Sequence, residues 1–245
     1  MTDIYPKFFW RGKGEREAVA IAGRKTAYPR DEKVYGLSSF DGLKSDWFVP
    51  THTIDPFQTA DSPKLLSRHD LPTYDDWMKL VETALREISR GSFQKVVLAR
   101  ITQLQFSAPI SPWPLLHKLL EATQETTIYG FQPSPHEAFI GATPENLYKR
   151  KGTTLLAESI AGTRKRGSSL QEDLLLERDL LASEKEQREF HFVKNFIEHQ
   201  LSSVCQKSGN ESVKVIKTAR VQHLYHQYTN LVPLLFNFQN LPVDG

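Results

Sequence analysis

Cysteine is almost absent from this chain. Cys205 is the only one among 245 residues, so no internal disulfide can staple the fold, and the chain suits a reducing compartment. Long apolar runs are missing as well; none approaches the roughly 20 residues of a membrane-spanning helix. The opening, Met1-Thr-Asp-Ile-Tyr-Pro-Lys7, has neither the basic start nor the apolar centre of a secretion signal. There is no excess of either charge. Lys and Arg number 31 against 29 Asp and Glu, a net +2, and the two signs are interspersed, which excludes a broad nucleic-acid-binding face. The expectation is a cytoplasmic protein that engages neither membrane nor nucleic acid. Several chemical signatures are also lacking. No phosphate-cradling glycine loop, nucleophile elbow, CxxC pair, zinc spacing of histidines, internal repeat or low-complexity segment occurs. The sequon Asn210-Glu-Ser212 reads as a chance match in such a protein.

What is present is a soluble globular composition, 39% apolar and 24% charged, in a chain long enough for one large domain or two small ones. Residues 1–65 read as short strands and turns, with Phe8-Phe-Trp10, Ala18–Ala22, Val34–Leu37 and Trp47–Val49 as the apolar pieces. A helix is predicted from near Thr73, where Trp77, Leu80, Val81, Ala84, Leu85 and Ile88 recur at helical spacing. Thr73 or Asp75 is placed to cap it and Gly91 to end it. Lys95–Phe106 is strand-like. Ser111-Pro112 opens a second helix through Leu115, Leu116, Leu119, Leu120 and Ala122. Further strands follow over Thr126–Phe131, Ala138–Ile140, Leu147–Arg150 and Thr154–Ala157, close enough together to favour antiparallel pairing. Residues 170–206 read as helical, then Val213–Ile216 and Val221–Tyr225 as strands. The Leu231–Phe238 run is strongly apolar with no element after it to cover it. The pattern predicts an α+β layout, with antiparallel strands and outer helices.

Three segments place polar residues at the edges of apolar runs. Lys95 precedes Val96, Val97 and Leu98. An ammonium buried there would lose proton affinity and serve as a general base, whereas a lysine pointing to solvent would leave Val96 and Leu98 to face the core; the spacing admits both. Glu145 follows Pro144 at a strand end. In a partly apolar pocket it would be a general acid, and otherwise an exposed turn residue. Ile160-Ala-Gly-Thr163 reads as a turn whose N–H groups and hydroxyl could cradle a carboxylate. On the helix after Leu181, Glu184, Glu186 and Glu189 could supply Mg²⁺ ligands or form a solvated face with pairs such as Lys185–Glu189.

In order, these segments are more specific than each alone. Phe93–Arg100, Phe139–Leu147, Ile160–Arg164, Leu181–Lys185 with Glu189, and Val221–Leu224 together resemble the chorismate-utilising enzymes, most closely the isochorismate synthases, over residues 75–230. The resemblance implies the α+β chorismate-binding fold, a layered antiparallel β core with outer helices. It divides the chain into a variable β-rich part of that fold, residues 1–70, and the front part of the chorismate-binding domain, residues 71–245. It implies that Lys95 activates water for attack on C2 of chorismate and that Glu145 protonates the departing C4 hydroxyl. Gly162 and Thr163 would contact the substrate carboxylate, and Glu189 would bind Mg²⁺. Lys95 disfavours anthranilate synthase, which usually has glutamine in that place, and Ala161 disfavours aminodeoxychorismate synthase, which commonly has lysine. Phe190 departs from the histidine of many bacterial members. Menaquinone synthesis is the expected destination; salicylate synthase, and an inactive remnant or split subunit, are the alternatives. The family's C-terminal motifs are not found before Gly245. The expectation is therefore a front fragment, weakly active or inactive alone, whose partner would be a complementing C-terminal fragment.

Overall fold

A computed structural model describes residues 5–26, 34–38, 45–55, 63–202, 205–210 and 212–232. Most of the apolar run predicted at the end, residues 233–238, lies outside them. The chain divides into two compact units, residues 1–58 with 112–245, and residues 59–111.

In the larger unit every strand pairing is antiparallel. The N-terminal strands are β1 (Lys7–Arg11), β2 (Val19–Thr26), β3 (Tyr35–Ser38) and β4 (Ser45–Thr53). They share one six-stranded sheet with two later strands, here termed βA (Thr127–Ser134) and βB (Glu137–Thr143), in the order β3-β4-β2-β1-βA-βB. Phe9 on β1 lies opposite Gly130 of βA, so the start of the chain and its centre are one sheet. Period-two alternation gives that sheet two apolar faces. Phe9, Ala20 and Ile128 pack with Trp113 and Leu116 of a helix, αA (Pro112–Ala122). Phe8, Ile21 and Phe48 cluster on their own with Phe131 and Tyr35. The Trp113 indole donates to Gln132 Oε1 at 3.1 Å, so its one polar atom is satisfied in the core.

The second sheet is centred on two long strands, βC (Thr154–Lys165) and βD (Val221–Leu231), paired from Thr154↔Leu231 to Lys165↔Val221. Short strands at Lys149–Lys151, Gln206–Asn210 and Lys214–Lys217 flank them. Two helices, αB (Leu170–Ala182) and αC (Glu184–Ser202), pack on βC and βD. Ala161, Leu180, Phe190 and Leu224 form the core between them. Phe190 is fully buried, which gives an apolar side chain at this position a packing reason. Ser169 caps αB by accepting from Glu172 N at 3.2 Å.

In the smaller unit, a strand at Leu65–Leu71 pairs antiparallel with one at Ile101–Phe106, and a helix spans Tyr74–Ser89 between them. The helix begins where predicted, with the Thr73 hydroxyl accepting from Asp76 N at 3.4 Å. It ends at Gly91, whose φ of +79° is the left-handed conformation glycine supplies at no steric cost. The strand-like reading of Lys95–Phe106 holds only from Ile101; residues 95–100 have no regular structure. The α+β expectation is met. No helix among the described residues is long and apolar enough to cross a membrane.

Candidate active site

Strand βB ends at Thr143 because Pro144 has no N–H to continue the ladder. The Thr143 hydroxyl accepts from Glu145 N at 3.2 Å, a local turn that fixes the Glu145 main chain. Although the residue as a whole is exposed, burial around its carboxyl group is the largest influence on it and raises its pKa. The nearby Glu158 carboxylate adds to the rise, while a backbone hydrogen bond from Ile160 and the Lys13 ammonium oppose it. The net direction is upward, so Glu145 holds its proton at higher pH than an ordinary glutamate. That is the property a general acid needs.

The residues around it come from four segments of the same unit. Glu158, on βC, is a carboxylate inside an otherwise apolar alternation. Its Oε2 accepts from Asn146 N at 3.0 Å and Asn146 Nδ2 at 3.1 Å. Its Oε1 accepts from the Tyr225 hydroxyl at 2.9 Å and faces Lys13 Nζ at 3.4 Å. Lys13 Nζ also donates to Pro144 O at 3.0 Å. Lys13 and Lys214 both lie over the Tyr225 ring, at 5.4 and 5.3 Å from its centroid. Neither Glu158 nor Lys13 is conspicuous in sequence; the available signal is a charged residue within the Leu155–Ala161 strand run.

The Ile160–Thr163 segment is not a turn, as the sequence suggested, but the interior of βC. Pairing with βD shifts register between Ala161 and Thr163, leaving Gly162 as the extra residue of a bulge with φ +69°. Ala161 and Leu224, a pair, face the helices. Thr163 pairs with His223 instead, and its hydroxyl lies 3.1 Å from His223 Nδ1. By alternation along βD, His223 and Tyr225 share the face opposite the helices. The bulge thus turns the Thr163 side chain to the sheet face that carries Glu158 and the Glu145 loop. Burial lowers the pKa of His223, against the raising effect of its hydrogen bond to Gly162 O at 3.2 Å, so its neutral form is favoured.

The Thr163 N–H goes to the protein itself, donating to Glu186 Oε2 at 3.1 Å. Glu186, buried at 5% exposure, also accepts from Arg164 Nη1 at 2.8 Å, and Arg164 Nε donates to Asp179 at 2.6 Å. Burial opposes ionisation of Glu186, but Arg164, Thr163 N–H and Lys185 together outweigh it and lower its pKa. Glu189 lies one turn further along αC and is half-buried. Lys95 belongs to the smaller unit. It is half-buried, but Val96 and Val97 beside it are exposed, 42% and 79%, so the valines do not enclose its ammonium as their run suggested.

Residues 42–233 match the family described as "Chorismate binding enzyme". The chain belongs to the chorismate-binding enzyme family. Among its relatives, the isochorismate synthase MenF of Bacillus subtilis is 33% identical over 186 residues, 76% of this chain and 39% of that protein. The chloroplastic isochorismate synthase 2 of Arabidopsis thaliana is 36% identical over 168 residues, 66% of this chain and 30% of that one. The chain therefore spans well under half the length of either relative. The structure of the menaquinone-specific isochorismate synthase of Escherichia coli aligns with a TM-score of 0.85 at 21% identity, over 95% of this chain and 66% of that one, which establishes the chorismate-binding enzyme fold.

Of the residues this family resemblance singles out, Glu145, Gly162, Thr163 and Glu189 lie in the larger unit and Lys95 in the smaller. No group of three or more His, Cys, Asp or Glu is placed to hold a metal ion among the described residues. Glu186 is held by Arg164 and the Thr163 N–H.

Proposed function

We propose that the chain carries part of the active site of a cytoplasmic isochorismate synthase that converts chorismate to isochorismate, for menaquinone synthesis. The observation that supports the reading is the Glu145 carboxyl at the end of βB, beside Glu158 and Lys13, with its pKa raised above the ordinary glutamate value, chiefly by burial. In this reading Glu145 gives its proton to the C4 hydroxyl as it departs. Lys95 takes a proton from the water that attacks C2, so the hydroxyl lost at C4 is replaced at C2 and the atoms balance. The Thr163 hydroxyl, on the same sheet face as Glu158, orients a substrate carboxylate beside the backbone of Gly162. Glu189 contributes to Mg²⁺, which supplies positive charge for the ring carboxylate.

The test is turnover of chorismate with Mg²⁺ by the protein in its full encoded length. General acid–base groups contribute about 10²–10⁴-fold each, so Glu145→Gln and Lys95→Ala are each expected to lower kcat by at least about 10². Wild-type protein that leaves chorismate unchanged, or a Glu145→Gln protein with full turnover, refutes the assignment. Pyruvate among the products would reassign the chain to salicylate synthesis.

A further inference from the structure

Glu145 is a short side chain on a loop, and an acid there must be held in place by something. The two residues beside it are both gripped. Pro144 O accepts from Lys13 Nζ at 3.0 Å, and Asn146 N donates to Glu158 Oε2 at 3.0 Å. Lys13 and Glu158 are in turn an ion pair at 3.4 Å, with side chains only 22% and 13% exposed, so salt screens it less than it would a surface pair. Each partner is itself fixed. Lys13 N donates to Thr127 Oγ1 at 3.3 Å, and the next amide, Gly14 N, donates to Gln124 O at 3.0 Å. Glu158 is built into βC opposite Gln227 and takes the Tyr225 hydroxyl. The Asn146 side chain closes the arrangement, accepting from the Thr127 hydroxyl at 3.5 Å while donating to Glu158.

We propose that Lys13 and Glu158 are positioning residues for Glu145, a clamp that holds the main chain on both sides of it and so limits the water around its carboxyl group. The inference rests on the reading of Glu145 as the acid only for its catalytic consequence; the clamp itself is a statement about geometry. The charged and titratable groups of this cluster are Lys13 before β2, Glu158 on βC, Tyr225 on βD, and Lys214 on the strand paired with it.

A clamp and a bare charge effect predict opposite results for one variant. Burial is the largest influence on Glu145 and the Lys13 charge the smallest of the four. If Lys13 acts by holding the loop, Lys13→Met lets water reach the carboxyl and its titration midpoint falls toward the ordinary glutamate value. If Lys13 acts through charge alone, removing it raises the midpoint. The experiment is a ¹³C-glutamate titration of the 245-residue chain, with the Glu145 signal assigned by Glu145→Gln and folding checked by circular dichroism. The expected result is a fall for Lys13→Met and near wild-type behaviour for Lys13→Arg; Lys13→Gln replaces Lys13→Met if that variant does not fold. A rise, or no change, overturns the proposal. Glu158→Ala is expected to speed hydrogen exchange of the Asn146 amide roughly tenfold through loss of its hydrogen bond, and unchanged exchange overturns Glu158's part. In the turnover assay Lys13→Met should lower kcat with little change in KM, with Lys13→Arg restoring it. Should Glu145→Gln keep full turnover, the acid reading fails, and the titration and exchange results still decide the clamp.

Discussion

The bulge at Gly162 is the place where a single added methyl group tests the architecture most directly. Gly162→Ala introduces two penalties that the structure separates. First, φ of +69° is the left-handed region, which a residue with a Cβ adopts at about 1–2 kcal/mol. Second, that Cβ would lie 3.2 Å from Glu186 Cβ and 3.3 Å from both Glu186 O and Leu224 Cδ1. None of these atoms is the free end of a flexible chain on the surface. Helix αC or the Leu224 side chain must give by a few tenths of an ångström, an overpacking of roughly 1 kcal/mol or more. The sum is about 2–3 kcal/mol, a large part of the ~5–15 kcal/mol that holds a domain folded. Gly152 is the internal control. Its φ is +59°, but a Cβ there meets nothing within 4 Å, so Gly152→Ala carries only the backbone penalty. Equilibrium urea unfolding of both variants, followed by far-UV circular dichroism, should show Gly162→Ala the more destabilised by about 1 kcal/mol or more. Equal losses would mean that the strand does not press on αC at this point, and the account of the bulge would be wrong.

Glu186 gives a pH-dependent prediction. Its folded pKa is lowered, so the stability it adds is fully present above the unfolded glutamate value of about 4.3 and is lost as pH falls through the folded value. Glu186→Gln should therefore flatten the acid side of the stability profile, measured as urea midpoints from neutral pH down to about 3; an unchanged acid slope refutes the pairing with Arg164. Leu180 is fully buried between Ala161, Phe190 and Leu224, so Leu180→Ala should lower unfolding free energy by about 2–5 kcal/mol, and a loss under about 1 kcal/mol would show that the helices do not close over βC as described.

Much of the fold was legible because local and global preferences agree in it. The helix from Tyr74 carries its cap at Thr73 and its stop at Gly91, and both work as their chemistry dictates. The antiparallel sheets follow from closely spaced strand runs. The smaller unit is where the apolar pattern misled. Ile101 and Leu104 are 65% and 49% exposed, and the Tyr74–Ser89 helix buries no residue fully. Spacing reports what a segment can bury, and burial itself depends on what packs against it. That is also why the valines beside Lys95 gave no pocket. Glu145 stands out at a strand end, but Lys13, Glu158 and Tyr225 near it do not, because they are brought together only by sheet pairing across long stretches of chain.

The misread turn at Ile160–Thr163 is the most instructive of these differences. Residues 155, 157, 159 and 161 alternate into the buried face of βC, with Ser159 reaching the Tyr228 hydroxyl that donates to Lys194 O on αC. In an unbroken strand Thr163 would follow them and point at the helices. The one extra residue reverses that parity: Thr163 comes to lie opposite His223, on the face of Tyr225 and Glu158. Only glycine accepts the left-handed bulge conformation without strain while fitting against Glu186. The same strand thus anchors αC through the Thr163 N–H and presents the Thr163 hydroxyl to the sheet face that holds the Glu145 loop. One Gly-Thr pair in this register ties βC to αC and sets the face on which the Thr163 hydroxyl lies, and the bulge is what allows both.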